Sequence, residues 1–95
     1  MSSPEVHHDA DMTTFSIDLD GAEAVLMYRQ VDDTTLDFTD TFVPVEHRGG
    51  GLAAALAEAA FEYARENGYR VIPSCPYIGT YLKRHPEYRD LVASG

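Results

Sequence analysis

The hydrophobic period of this chain changes abruptly at Gly49, Gly50 and Gly51, and that change limits what each half can become. Upstream of the glycines apolar residues alternate with polar ones, the period of a strand; downstream they recur every three or four residues, the period of a helix. The segment Phe42 to Ala53, F-V-P-V-E-H-R-G-G-G-L-A, therefore runs an extended apolar stretch through a bare-backbone turn into a helix start. Three successive glycines allow dihedrals closed to other residues and let a ligand approach the main chain. The helix start adds unpaired N–H groups and a positive dipole end, so the junction favours an anion. Arg48 places a permanent cation at its mouth.

Around that junction the pattern predicts an α+β domain. From Thr13, Phe15, Ile17 and Leu19 share one face while Thr14, Ser16 and Asp18 share the other. Asp20-Gly21 is a strong hairpin signal, and Ala22 to Val31 follows as a second strand with Val25, Met27 and Val31 on one face. Asp32-Asp33 turns the chain into a third strand, Thr34 to Val43, with Leu36, Phe38 and Phe42 alternating on one face. Gly51 to Asn67 reads as a helix whose stripe is Leu52, Leu56, Ala60 and Tyr63, flanked by Ala53, Ala57 and Ala64, with Asn67-Gly68 as its stop. Tyr69 to Pro73 is a short fourth strand, and Ile78 to Arg84 a second helix ended by Pro86. An antiparallel meander joined to a parallel βαβ unit is the expected architecture. Residues 1–11 are expected to form a flexible acidic leader and 12–95 a single domain.

Composition removes several classes of function. Ninety-five residues make one small domain, and 44% hydrophobic content is ordinary for a packed core. A formal charge of −9 opposes nucleic acid as a partner and favours cationic acceptors such as amines. No run approaches the roughly eighteen apolar residues of a membrane span, and Met1 to Asp11 carries no secretory signal pattern. One cysteine, Cys75, precludes an internal disulfide framework and fits a reducing cytoplasm. Monomer and homodimer are equally compatible with a short mixed sheet.

Two common phosphate loops fail against the glycine run. A nucleotide P-loop needs lysine and a hydroxyl after its last glycine, where this chain has Leu52 and Ala53. A dinucleotide fingerprint needs an acidic residue about twenty positions on, and none stands near Arg70. The remaining motif, R-x-x-G-x-A at Arg48, Gly51 and Ala53, resembles the pyrophosphate-binding motif of the GNAT superfamily of acetyl-CoA-dependent N-acetyltransferases. A closer resemblance is to the small single-domain GNAT-like family. It rests on F-x-I with its aspartate-glycine turn at Phe15 to Gly21, T-F-V-P at Thr41 to Pro44, and R-G-x-G at Arg48 to Gly51. It also rests on P-x-C-P-Y at Pro73 to Tyr77 and R-H-P-E-Y at Arg84 to Tyr88.

That resemblance implies a GNAT-like fold of reduced size, acetyl-CoA (CoA) as cofactor and an amine as acceptor. It implies that the backbone of Val43, Pro44 and Val45 holds the pantetheine arm. Arg48, Gly49, Gly50, Gly51, Leu52 and Ala53 would hold the pyrophosphate. The βαβ topology independently puts the strand ends near Thr41 to Val43 and Ser74 to Pro76 on one sheet edge, where ligands of such units bind. A binding or sensing module with little turnover is the alternative to a transferase.

Cys75 and Asp40 are the candidate catalytic residues. Cys75 stands at that edge and either accepts the acetyl group as a nucleophile or lines the channel while an amine attacks directly. Asp40 falls on the alternation face of Leu36, Phe38 and Phe42, where a carboxylate is a candidate base and is otherwise a strand-end aspartate turned to water by a bulge. The family often carries histidine at that position, so the chain departs from it there. Tyr77 and Tyr81, one helical turn apart, would pack the cofactor or offer a phenol proton. His7, His8, Asp9 and Asp11 lie in the leader, where a metal site would lack preorganisation, so no metal is expected.

Overall fold

The computed structural model describes residues 5–93, so the first four residues of the expected leader and the last two of the expected domain lie outside it. Five strands form a sheet in chain order: β1 (His7–Asp9), β2 (Thr14–Leu19), β3 (Ala22–Asp32), β4 (Thr35–Phe42) and β5 (Arg70–Ile72). Every adjacent pair is antiparallel except β4 and β5. Helix α1 (Leu52–Asn67) links the parallel pair, α2 (Pro76–Arg84) follows β5, and a 3-10 segment, Pro86–Leu91, completes the fold. This is the expected α+β arrangement of a meander joined to a βαβ unit. Pro76 starts α2 two residues earlier than Ile78, because proline at a first helical position gives up no hydrogen bond.

The inward face of β3 differs from expectation. Ala24, Leu26 and Tyr28 are buried, whereas Met27 is 41% exposed and Val31 40% exposed. The tight turn at Asp20-Gly21 sets this, since pairing Leu19 with Ala22 puts Ile17 opposite Ala24 and Phe15 opposite Leu26. Residues directly opposed share a face, so Ala24 and Leu26 must point where Phe15 and Ile17 point. A preference for large residues chose Val25 and Met27; the register overrides it.

A bulge alters β4 in the same way. Tyr28 pairs with Phe38 but Met27 pairs with Asp40, leaving Thr39 as the extra residue. Beyond it the alternation is inverted. Thr41 comes opposite buried Leu26, Asp40 is turned to water by the bulge in keeping with the second of its two readings, and Phe42 is 53% exposed, contrary to its expected place on the face of Leu36 and Phe38.

Both helices cover the face that carries Phe15, Leu26 and Phe38. On α1 the buried residues are Leu56, Ala57, Ala60, Phe61 and Ala64, so the core stripe is centred on Phe61 and Tyr63 lies at its border. Phe61 meets Phe38 edge-on at 5.1 Å and stacks on Tyr88 at 5.0 Å and Tyr81 at 5.9 Å, joining sheet, α2 and the 3-10 segment.

Within the segment read as a leader, His7–Asp9 pairs with β2 as an edge strand. His8 holds it, stacking on Phe15 at 4.1 Å and sharing a 2.7 Å hydrogen bond between Nε2 and the Tyr28 hydroxyl. Burial lowers the His8 pKa from its usual value, against a smaller upward pull from Asp9. The unfolded chain then takes up this proton more readily than the folded one, so the contribution is complete above pH about 6.5 and is lost as pH falls below it. Urea unfolding at pH 7.5 and pH 5 is expected to show lower stability at pH 5, with part of the difference abolished by His8→Leu. An identical pH difference in that variant would exclude His8 as its source.

Candidate functional site

The parallel pairing of β4 and β5 is short, ending at Asp37 opposite Ile72. One further bond, from the Cys75 N–H to the Phe38 carbonyl at 3.0 Å, closes the seam. Beyond it β4 continues to Phe42 with no strand on that side, so its outer main-chain groups face an opening. A cavity of about 470 Å³ occupies the opening, with Thr41 to Val43 on one wall, Tyr77 and Arg84 on the other and the glycine turn as its floor.

Glycine conformation builds the floor. Gly49 and Gly51 take positive φ values of 88° and 82°, which L-residues adopt at a cost. Gly50 does not, so two of the three glycines are needed for the turn itself. Gly51 is the N-cap of α1 and supplies no side chain; the first turn also lacks an acidic residue. The Ala55 N–H is the first of the helix to reach back, bonding the Gly51 carbonyl at 3.0 Å. The N–H groups of Leu52, Ala53 and Ala54 precede that bond and are free to face a ligand. Gly51→Ala is expected to cost about 1–2 kcal/mol of stability and Gly50→Ala less than about 0.5 kcal/mol, measured by urea unfolding. Equal losses would contradict this division of roles.

Arg48 does two jobs. Its Nε donates to the Val43 carbonyl at 3.0 Å, tying the turn to the end of β4. The rest of the guanidinium lines the cavity, where Arg84 joins it from α2 and His47 from the preceding turn. Among the described residues no carboxylate lines this cavity. Arg84 and His47 went unrecognised in the sequence. Arg84 follows Tyr77 by two helical turns, the spacing that places both on one face, and that was the available signal.

Other expected residues are placed unevenly. Val43, Arg48, Gly49, Gly51, Leu52, Ala53 and Tyr77 line the cavity; Gly50 is in the turn, and Pro44 and Val45 lie just beyond the wall. Tyr81 does not line it and opens into a neighbouring cleft. Cys75 is 6% exposed and lies behind the cavity wall, its Sγ 3.6 Å from the Thr41 hydroxyl. Asp40 is turned to the uncovered face of the sheet by the bulge, whereas Thr41 points toward the thiol.

The surroundings of Tyr77 hold it in its protonated form. Burial raises its pKa most, Arg84 partly offsets this, and Cys75 adds a further upward push. The phenol therefore stays protonated at neutral pH. Among the described residues no group of three or more histidine, cysteine or acidic side chains is placed to hold a metal, and no helix is long and apolar enough to cross a membrane.

Comparison with known proteins agrees with this geometry. The family model described as GCN5-related N-acetyl-transferase matches residues 14–91. Protein NATD1 of Xenopus tropicalis is 39% identical over 87 residues, covering 90% of this chain and 80% of that protein. Protein NATD1 of Homo sapiens is 36% identical over 83 residues, covering 85% and 74%. The solution structure of a GCN5-like protein from Staphylococcus aureus superposes with a TM-score of 0.71 at 28% identity, covering 100% of this chain and 93% of that one. A match across nearly the whole sheet and both helices, with the glycine turn inside it, is more than a shared local motif, and the chain belongs to the GCN5-related N-acetyltransferase family.

Proposed function

We propose that the chain binds acetyl-CoA in this cavity and transfers the acetyl group to an amine. The observation that carries the proposal is the unsatisfied first turn of α1, which opens onto a cavity containing two arginines and no carboxylate. Gly49 to Ala53 offer main-chain N–H groups to the diphosphate, and Arg48 and Arg84 add charge-assisted donors. The outer edge of β4 beyond the seam, as far as Phe42, accepts the pantetheine amides as a strand would; the carbonyls of Val43, Pro44 and Val45, which the resemblance assigned to that arm, are already taken by Arg48 and His47. When bound, the cofactor supplies an acetyl group already activated as a thioester. Tyr77, on the wall facing Thr41, keeps its phenol proton and can donate it in a hydrogen bond to an anion formed in the cavity.

Direct attack by the amine fits better than an acetylated Cys75. The thiol is enclosed behind the wall and engaged with Thr41, which suits a packing role. Asp40 points away from that wall, so the amine must arrive neutral or give its proton to water. That same absence of a carboxylate favours the second reading, a CoA-binding module with little turnover.

The chain is expected to gain about 2.7 kcal/mol of stability with acetyl-CoA or CoA at about a hundred times the dissociation constant. Intact mass after incubation with acetyl-CoA should remain unchanged, and Cys75→Ala should bind equally well. Thiol release with a panel of amines separates transferase from binder. No thermal shift with either compound would sink both readings, and an added acetyl on Cys75 would overturn direct attack.

A further inference from the structure

Beside the arginine-lined cavity, and sharing Gly51 and Ala54 with it, lies a second cleft of about 370 Å³ between α1 and the corner where α2 meets Pro86–Leu91. Its charge is opposite. Glu58 stands on the α1 wall and Glu87 on the facing wall, and among the described residues no lysine or arginine lines the space. Tyr81 also lines it, only 4% exposed, and its hydroxyl has no hydrogen-bond partner among the described residues. The oxygen is not sealed in the core, so water or a ligand in the cleft can supply the bond it lacks within the chain.

The neighbouring groups are already engaged. Tyr88 donates its hydroxyl to Glu62 Oε2 at 2.6 Å, and His85 stacks on Tyr81 at 4.1 Å with Nδ1 3.4 Å from Glu87 Oε2. The ring of Tyr88 stacks on Phe61 at 5.0 Å and carries the Arg65 guanidinium 5.6 Å from its centroid. Tyr81 stacks on Phe61 as well as on His85. Neither tyrosine presents a clear face to a quaternary ammonium group, which binds through ring faces. Acceptor oxygens are what the cleft offers.

We infer that this cleft binds a primary ammonium ion, whose three N–H donors meet the Glu58 and Glu87 carboxylates and the Tyr81 hydroxyl oxygen. The bound cation lies next to the turn proposed for the diphosphate, so each ligand raises the other's affinity by the same factor. That coupling rests on the acetyl-CoA reading; the ammonium site does not.

The test is an NMR amide-shift titration of the whole chain with n-butylammonium chloride, ionic strength being held constant with potassium chloride. Saturable shifts are expected around Glu58, Tyr81 and Glu87. Affinity should fall roughly tenfold or more in the Glu58→Gln, Glu87→Gln double variant and roughly fivefold in Tyr81→Phe, which removes one hydroxyl. Tetramethylammonium should not produce the same shifts. Absence of saturable shifts, unchanged affinity in the double variant, or equal binding of tetramethylammonium would overturn the site. With CoA present the butylammonium affinity should rise severalfold. If CoA binds and that affinity is unchanged, the coupling is wrong. If CoA does not bind, the acetyl-CoA reading fails while the titration without CoA still decides the ammonium site.

Discussion

Phe61→Ala is expected to remove about 3–5 kcal/mol of stability, the usual loss for a phenylalanine cut back to alanine in a closed core. A chain of this length has roughly 5–14 kcal/mol in total, so the loss takes a large share of it. The size follows from position. Phe61 is fully buried and touches aromatic rings from β4, α2 and the 3-10 segment, and none of these can close the space without leaving the others. Because α2 docks on this ring, its loss also loosens the wall that carries Tyr77 and Arg84. Urea unfolding checks the value, with Phe61→Leu expected to cost less because most of the volume remains. A loss under about 1 kcal/mol for the alanine variant would show that Phe61 does not bridge the layers.

What could be read from the sequence divides according to the range of the forces involved. The strand-turn-helix junction was legible because its causes are local: a period of two, a run of glycines, then a period near four. The hairpin at Asp20-Gly21 was equally local, and a two-residue turn fixes the register of the strands it joins. Its register alone requires Ala24 and Leu26 to face the core, although Val25 and Met27 look the better core residues. The bulge at Thr39 had one indirect signal, the carboxylate of Asp40 on an otherwise apolar face, and nothing local fixed its position. It arises in pairing with β3, and it decides that Thr41 meets Cys75 while Asp40 faces water on the opposite side of the sheet. A second gap has the same origin. His8 looked like part of a solvated tail, yet a ring that stacks on Phe15 and bonds Tyr28 is as good an anchor as an apolar residue once those partners are assembled. Arg84 differs, since its helical spacing from Tyr77 was visible and only the place of α2 on the cavity wall was not.

Arg84→Ala and Arg48→Ala are each expected to weaken CoA binding roughly tenfold to a hundredfold, and together by more. The magnitude is that of one hydrogen bond to a charged group, about 1.5–3 kcal/mol, with a tenfold change for each 1.4 kcal/mol. The two should differ in a second respect. Arg48 also ties the turn to the Val43 carbonyl, so its loss should lower stability slightly without ligand. Arg84 has no hydrogen bond of that kind and is exposed on α2, so its alanine variant should unfold like the parent when CoA is absent. Calorimetric titration with CoA and urea unfolding without it separate these effects. Arg84→Lys should recover part of the affinity, because a lysine keeps the charge but not the planar fork that matches a phosphate. Binding within twofold of the parent in both alanine variants would mean that the diphosphate does not lie between them. Raising salt should weaken the parent more than either variant, since screening acts on the charges that the variants have already lost.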